Sequence, residues 1–234
     1  MKRQALLLDA GNTVVFLDHA AVAETVGGDA DALRLAERVA KDTYAQFLSE
    51  GASHENGWRV FMKTLLETAG VEGELEAHVD ALEAAHEEFN FWRRVPDELV
   101  GALEDARAAG WVPAIVSNSE GRLVELFDKV GLEDMFEVIV DSANVGIRNP
   151  DPRIFEIALK TLGIKAEDAV YAGDIPDVDV EGARAAGIRA FLIDPNDDFP
   201  DYDEAPRLSS VRELVTSLLN EANASAEGAS GEAE

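Results

Sequence analysis

The sequence predicts an α/β fold: a doubly wound parallel sheet with a helical cap inserted after its first strand. Three observations predict it. An apolar run at residues 5–8, Ala-Leu-Leu-Leu, passes straight into Asp9 and a turn at Gly11, which reads as a buried strand ending in a carboxylate. From Pro96 onward, short apolar runs alternate with helical periodicity, the pattern of parallel strands joined by crossover helices. Between these, residues 17–94 carry helical periodicity almost throughout, with no strand signal of comparable quality.

The elements follow in order. After the first strand, Thr13 leads into a second apolar pair, Val14-Val15, and the chain leaves the sheet at residues 16–19. In the insert, Leu33, Ala36, Ala40, Tyr44 and Phe47 form one stripe. Trp58, Phe61, Met62, Leu65, Leu66 and Ala69 form a second, and Leu75, Val79, Leu82, His86 and Phe89 a third. Gly51 and Gly70 punctuate the helix ends. His86, on an apolar stripe, reads as a packing residue, while His19, His54 and His78 are too scattered for a metal cluster. Arg93 and Arg94, at the return to the core, are candidates to meet a substrate anion, although a structural ion pair is the commoner role.

Pro96 suits a helix start, with Leu99, Leu103 and Ala106 as its buried face before Gly110. A strand over residues 112–116 ends at Ser117. Leu123, Phe127 and Val130 mark a helix, and residues 138–140 a strand. Ile154, Phe155, Ala158, Leu159 and Leu162 mark the next helix, and residues 169–172 the strand that ends at Gly173-Asp174. A short helix over 178–186 stops at Gly187, a last strand covers 190–193, and Val211, Leu214, Val215, Leu218 and Leu219 close the chain with a helix. The count is five strands in a Rossmann-like core. Residues 194–204 hold six acids and no base, which reads as a solvated loop. Residues 221–234 lack any large apolar residue and read as a disordered acidic tail. The expected organisation is a core of residues 1–16 and 95–220, a helical cap of 17–94, and the tail.

Composition narrows the function classes. With 234 residues, 47% of them hydrophobic, a sizeable core is available, but no apolar run approaches the ~20 residues of a membrane span. The N-terminus lacks the apolar stretch and cleavage site of a signal peptide, so a soluble cytoplasmic protein is expected. Cysteine is absent, which excludes disulfides and thiolate chemistry. The 47 acids outweigh the 20 bases, for a net charge of −27, and only six of the bases are lysines. Such a surface repels nucleic acid and anionic membranes. The acids are spread along the chain, as expected for a halophile protein working in high salt, where charge is screened within ~3 Å at 1 M. An acidic protein of ordinary salt is the alternative.

The polar residues that carry chemistry fall at strand ends. Asp9 ends the first strand, Ser117-Asn118 the second, and Gly173-Asp174 the fourth, with Asp177 and Asp179 just beyond. Residues 146–152, Gly-Ile-Arg-Asn-Pro-Asp-Pro, follow the third strand. Asp9, Ser117 and Asp174 are therefore expected together at the carboxyl edge of the sheet, where ligands of open α/β folds sit, with the cap over them.

On these residues the chain resembles the haloacid dehalogenase superfamily of hydrolases. The match is carried by Asp9-Ala10-Gly11-Asn12-Thr13, Ser117, Pro150-Asp151-Pro152, Gly173-Asp174 and Asp179, and by the helical insert after the first of these motifs. It covers about residues 4–220. Members with such a cap are mostly magnesium-dependent phosphatases of small phosphorylated metabolites. The resemblance implies that Asp9 attacks phosphorus and carries an aspartyl-phosphate. It implies that Mg²⁺ is held by the carboxylates of Asp9 and Asp174 and the main-chain carbonyl of Gly11. Ser117 and the backbone N–H of Asn118 would bind phosphoryl oxygens. Thr13 would hydrogen-bond Asp9, or simply close the turn. Asp179 would hold a metal-bound water or orient the site, or else cap the helix after Gly173.

Two positions depart from the family pattern. Its phosphatases carry a second aspartate two residues after the nucleophile, to protonate the leaving alcohol and then activate water; here that position is Gly11. General acid–base catalysis is worth ~10²–10⁴ in rate. The family's usual lysine before Pro-Asp-Pro is Asn149 here, and the neighbouring Arg148 is a candidate to replace its charge. Residues adjacent in an extended segment point to opposite sides, which works against that replacement. Three functions remain open at this point: a Mg²⁺-dependent phosphate monoester hydrolase with an altered site, a 2-haloacid dehalogenase, and a catalytically weak phosphate- or metabolite-binding protein.

Overall fold

The computed structural model describes residues 3–49 and 54–231; Gly51 lies outside them. The chain forms β1 (Gln4–Leu8), β2 (Phe16–Leu17), β3 (Trp92–Arg94), β4 (Trp111–Ser117), β5 (Val138–Asp141), β6 (Ala169–Gly173), β7 (Arg189–Ile193) and β8 (Arg207–Leu208). The central sheet has the order β5-β4-β1-β6-β7-β8, every pair parallel. It has six strands rather than the expected five. The extra edge strand, β8, is two residues long, too short for any alternation to register.

Strand β1 is buried on both faces, which is why it reads as an unbroken apolar run. Its alternate side chains serve different layers. Leu6 and Leu8 pack under α5 (Leu99–Ala108) and α10 (Val211–Gly231), beside Leu103 and Leu214. Ala5 and Leu7 pack under α8 (Arg153–Leu162), beside Ile154 and Phe155. Helices on both faces make the sheet doubly wound.

Four helices stand between β2 and β3: α1 (His19–Val26), α2 (Ala30–Ser49), α3 (His54–Thr68) and α4 (Leu75–Glu88). They enclose an apolar cluster of their own, drawn from Leu17, Leu33, Met62, Leu65, Val79, Phe91 and their neighbours. The predicted stripes supply this cluster. At its base, β2 and β3 pair antiparallel, Phe16 opposite Arg94 and Leu17 opposite Trp92. This ribbon is a strand signal that the helical reading of 17–94 passes over, because two or three residues carry no period. Arg93 pairs with Asp18 at 3.0 Å and its guanidinium stacks on Phe89, so its role in the structure is that of a hinge contact. His86 is buried and accepts the Phe91 N–H, as a packing residue would.

Two further expectations differ from the structure. Helix α10 continues to Gly231, where residues 221–234 read as disordered. Its Ala- and Glu-rich end favours helix, and Glu221 is bridged by Arg189 at 2.6 Å. The last three residues lie outside the described ones. The acidic loop after β7 is not wholly solvated either. Asp194 and Asp198 are buried, and Asp194 accepts the backbone N–H groups of Asp198 and Phe199.

Candidate active site

Strands β4, β1 and β6 are neighbours, so the polar residues at their carboxyl ends meet. Asp9 follows β1 and is tied to β6 by its N–H, which donates to Ala172 O at 2.9 Å. Ser117 ends β4 and its hydroxyl hydrogen-bonds the Asp9 carboxylate. Asp174 follows β6. All three are buried and line one cavity beneath the four-helix insert. The cavity measures about 130 Å³, close to the ~150 Å³ that accommodates benzene in an engineered core. It suits a small ligand.

The turn after Asp9 is closed by its backbone. Val14 N–H and Val15 N–H both donate to Ala10 O at 2.9 Å, and Asn12 sits at φ 53°. The Thr13 hydroxyl is buried and makes no hydrogen bond, so it does not bond Asp9 as the resemblance implies. The backbone bonds close the turn without it. Gly11 does not adopt a left-handed conformation. A Cβ placed on it would meet Trp92 Cδ1 at 3.6 Å, an ordinary contact. The indole of β3 thus stands beside the place where the family's acid would project.

Asp179 is a buried hub and more than a helix cap. Its Oδ1 accepts from the Tyr171 hydroxyl at 2.8 Å and from Asn149 Nδ2 at 3.3 Å, and its Oδ2 from Ile175 N–H at 2.9 Å. It sits in an irregular turn over Pro176–Val180 before α9 (Glu181–Ala185). Asn118 is tied to the main chain of Asn149, through its Nδ2 at 3.1 Å and its Oδ1 at 2.9 Å. This brings the 146–152 segment to the site. The Asn149 amide is turned toward Asp179 and Tyr171, with its Oδ1 buried and unpartnered. Arg148 is exposed and stands outside the cavity lining, although its charge reaches Tyr44.

The structure adds residues that sequence reasoning missed. Lys41, on α2, reaches from the insert to the sheet edge, with Nζ 2.7 Å from Asp174 Oδ2 and 4.0 Å from Asp198 Oδ2. Tyr44, Trp58, Phe61 and Trp92 form an aromatic wall of the same cavity. The signal was present in the stripe. Lys41 follows Ala40 and stands four residues from Glu37 and three from Tyr44, a charge beside a buried face in a chain poor in lysine.

Electrostatics set the chemistry. Burial pushes the Asp9 carboxyl well above its usual range, and the charges of Asp179 and Asp174 push it further; the Ser117 hydroxyl pulls the other way. Burial, with Asp174 beside it, raises Asp179 to about 7. Burial would lower Lys41, but Asp174 outweighs it and raises the ammonium's pKa. Three acids share one low-dielectric space, and Asp9 is ionised there readily only with positive charge at hand.

Comparison with known proteins gives consistent matches. The family description "haloacid dehalogenase-like hydrolase" matches residues 4–187. A phosphoserine phosphatase of Thermus thermophilus is 36% identical over 163 residues, covering 67% of this chain and 62% of that relative's length. A solved HAD-hydrolase, YfnB of Bacillus subtilis bound to magnesium, superposes with a TM-score of 0.70 at 17% identity, covering 93% of this chain and 99% of that one. A solved dehalogenase superposes at 0.64 with 25% identity, covering 91% and 96%.

Proposed function

The chain belongs to the haloacid dehalogenase-like hydrolases, and from that membership we propose that it hydrolyses small phosphate monoesters through a phosphoryl group carried on Asp9. One observation carries the proposal: Asp9, Ser117 and Asp174 converge in one buried cavity at the carboxyl edge of the sheet. The 36% identity to a phosphatase supports the substrate class.

In this reading an Asp9 oxygen attacks phosphorus, the P–O bond to the alcohol breaks, and the electron pair leaves with the alkoxide oxygen. Water then attacks phosphorus, the P–O bond to the Asp9 carboxylate breaks, and phosphate departs. The alkoxide takes a proton from solvent and the attacking water returns one, so the steps sum to ester plus water giving alcohol plus phosphate. Ser117 holds Asp9 in line and turns its hydroxyl to a phosphoryl oxygen, with the Asn118 N–H as a second donor. With glycine at position 11 no side chain there protonates the alkoxide. Phosphates of good leaving groups, such as aryl phosphates, are then cleaved faster than sugar phosphates.

The acids fit a magnesium ion by their chemistry. Asp9 and Asp174 with the Gly11 carbonyl are hard oxygen donors, and the upward shift of Asp9, caused by burial and then by the charges of Asp179 and Asp174, is one that a bound cation would offset. Among the described residues no group of three or more His, Cys, Asp or Glu is placed to hold a metal ion; the reading rests on two carboxylates, a carbonyl and the several waters that Mg²⁺ typically keeps. When bound, the ion would neutralise Asp9 and the phosphoryl oxygens. Asp179 supports the site through its bonds to Asn149 and Tyr171. Residues 17–94 act as the cap that closes it. No helix among the described residues is long and apolar enough to cross a membrane. With the net charge of −27, this supports a cytoplasmic enzyme working in high salt, on small metabolites and not nucleic acid.

The 2-haloacid dehalogenase reading is favoured by one observation, the missing acid at position 11. One assay separates the two. Phosphate release from aryl and sugar phosphates is measured with and without Mg²⁺, at low and multimolar salt, beside halide release from 2-chloropropionate. Mg²⁺-dependent phosphate release is expected. Metal-independent halide release with no phosphate release would overturn the proposal.

A further inference from the structure

We propose that Lys41 is the site's fixed cation: the cap supplies the positive charge that the core lacks at position 149, and the site is charge-complete only with the cap seated. The core's own candidate, Arg148, is exposed and stands outside the cavity lining. Asn149 places a neutral amide against Asp179 and Tyr171. Among the described residues, Lys41 is the one Lys or Arg that lines the cavity holding Asp9, Asp174 and Asp179. It is a built contact. Its side chain is 9% exposed and that of Asp174 6%, at 2.7 Å.

The contact also has support behind it. One turn before Lys41, Glu37 is buried and hydrogen-bonded to His19 at 2.8 Å, which fixes that face of α2 against α1. Beyond Asp174, the buried Asp198 faces the ammonium from the loop after β7, at 4.0 Å. Lysine is a compact charge on a flexible stem with three donors, so it can hold Asp174 and still present an N–H to an anion in the cavity. A cation carried by the cap has a consequence that one on the core would not. An anion gains its partner only as the cap closes, so binding and closure are one event.

The inference rests on the phosphatase reading only for the identity of the anion. Its first test needs no substrate. Melting temperatures are measured for Lys41→Met, Asp174→Asn and the double variant. Lys41→Met is expected to melt well below the wild type, and the double variant well above the additive expectation. Asn149→Lys added to Lys41→Met is expected to recover much of the loss.

The second test is binding of inorganic phosphate by calorimetry, with Mg²⁺ present. Lys41→Gln keeps a polar side chain at this position without the charge, so it guards against misfolding. It is expected to weaken phosphate binding about tenfold or more, the size of one lost charge-assisted hydrogen bond. Lys41→Arg should bind within a few-fold of the wild type, and Lys41→Gln with Asn149→Lys should regain affinity. A folded Lys41→Gln that binds phosphate like the wild type makes Lys41 merely structural and overturns the proposal. Additive melting shifts, or no recovery from Asn149→Lys, also overturn it. If the wild type binds no phosphate while the melting cycle is coupled and Asn149→Lys rescues it, the phosphatase reading falls and Lys41 remains the site's cation.

Discussion

Gly173 has no side chain because Asp179 fills the space one would need. A Cβ there would overlap Asp179 Cγ and lie 2.6 Å from its Cβ, inside any permitted contact. Gly173→Ala is therefore expected to cost ~3 kcal/mol, the upper part of the range for overpacking, and to displace Asp179 from Tyr171. Urea unfolding measures the cost. A loss under 1 kcal/mol would mean that Asp179 moves freely. Gly11 is the opposite case. A Cβ there makes only an ordinary contact with Trp92 at 3.6 Å and its backbone is not left-handed, so Gly11→Asp should fold. By returning an acid to the leaving group it should raise turnover on alkyl phosphates by up to ~10²-fold. Phosphate release over a series of leaving groups checks this, because the gain should shrink as the leaving group improves. An equal gain on every ester would show that position 11 acts by another route. Both glycines stand in the sequence where a strand gives way to a loop, and only the neighbours tell them apart: a carboxylate packed on one, an indole beside the other.

At the scale of elements, the hinge ribbon carries the cap. Asp18 caps α1, accepting Ala21 N–H at 3.1 Å, and also pairs with Arg93 beside β3. Asp18→Ala removes both contacts and is expected to destabilise the protein by about 1–2 kcal/mol, read by thermal or urea unfolding. The pH dependence has a definite sign. Burial alone would raise the Asp18 carboxyl, but the Ala21 N–H and Arg93 lower it in the folded protein. The unfolded chain then binds the proton more tightly. This contribution is present above the unfolded pKa of ~3.9 and lost as pH falls through the folded value. The difference between wild type and Asp18→Ala should thus shrink below about pH 4; a constant difference down to pH 2.5 would contradict it. The helical stripes of the insert were legible in sequence because a long amphipathic helix repeats its signal over many turns. The strands β2, β3 and β8 were not, since two or three residues cannot show alternation.

For the whole molecule, a net charge of −27 on 234 residues stores self-repulsion that salt relieves. Raising salt from 0.1 M to 1 M shortens the screening length from about 10 Å to about 3 Å. The melting temperature should rise over that range, by ~2–4 °C for each kilocalorie relieved in a chain of this size. A melting temperature that is flat or falls with added KCl would count against a high-salt habitat. The pair of Lys41 and Asp174 should change least, because both side chains are more than nine-tenths buried and salt screens exposed charges most.

The sequence by itself determined the alternating architecture and the strand ends that bear Asp9, Ser117 and Asp174. Both are local properties: a strand's apolar run and the residue that ends it are contiguous, and in parallel α/β topology those ends share one edge. It also exposed the missing side chain at position 11 and the missing cation at 149, since an absence at a motif position needs no coordinates. Only the tertiary structure decided what stands in those places. Trp92 beside Gly11 is 81 residues away along the chain, and Lys41 on Asp174 is 133. Both come from the cap side of the hinge. The stripe pattern shows which face of α2 is buried, but not which carboxylate that face meets. That depends on how the insert sits over the sheet, through packing between elements that share no sequence signal.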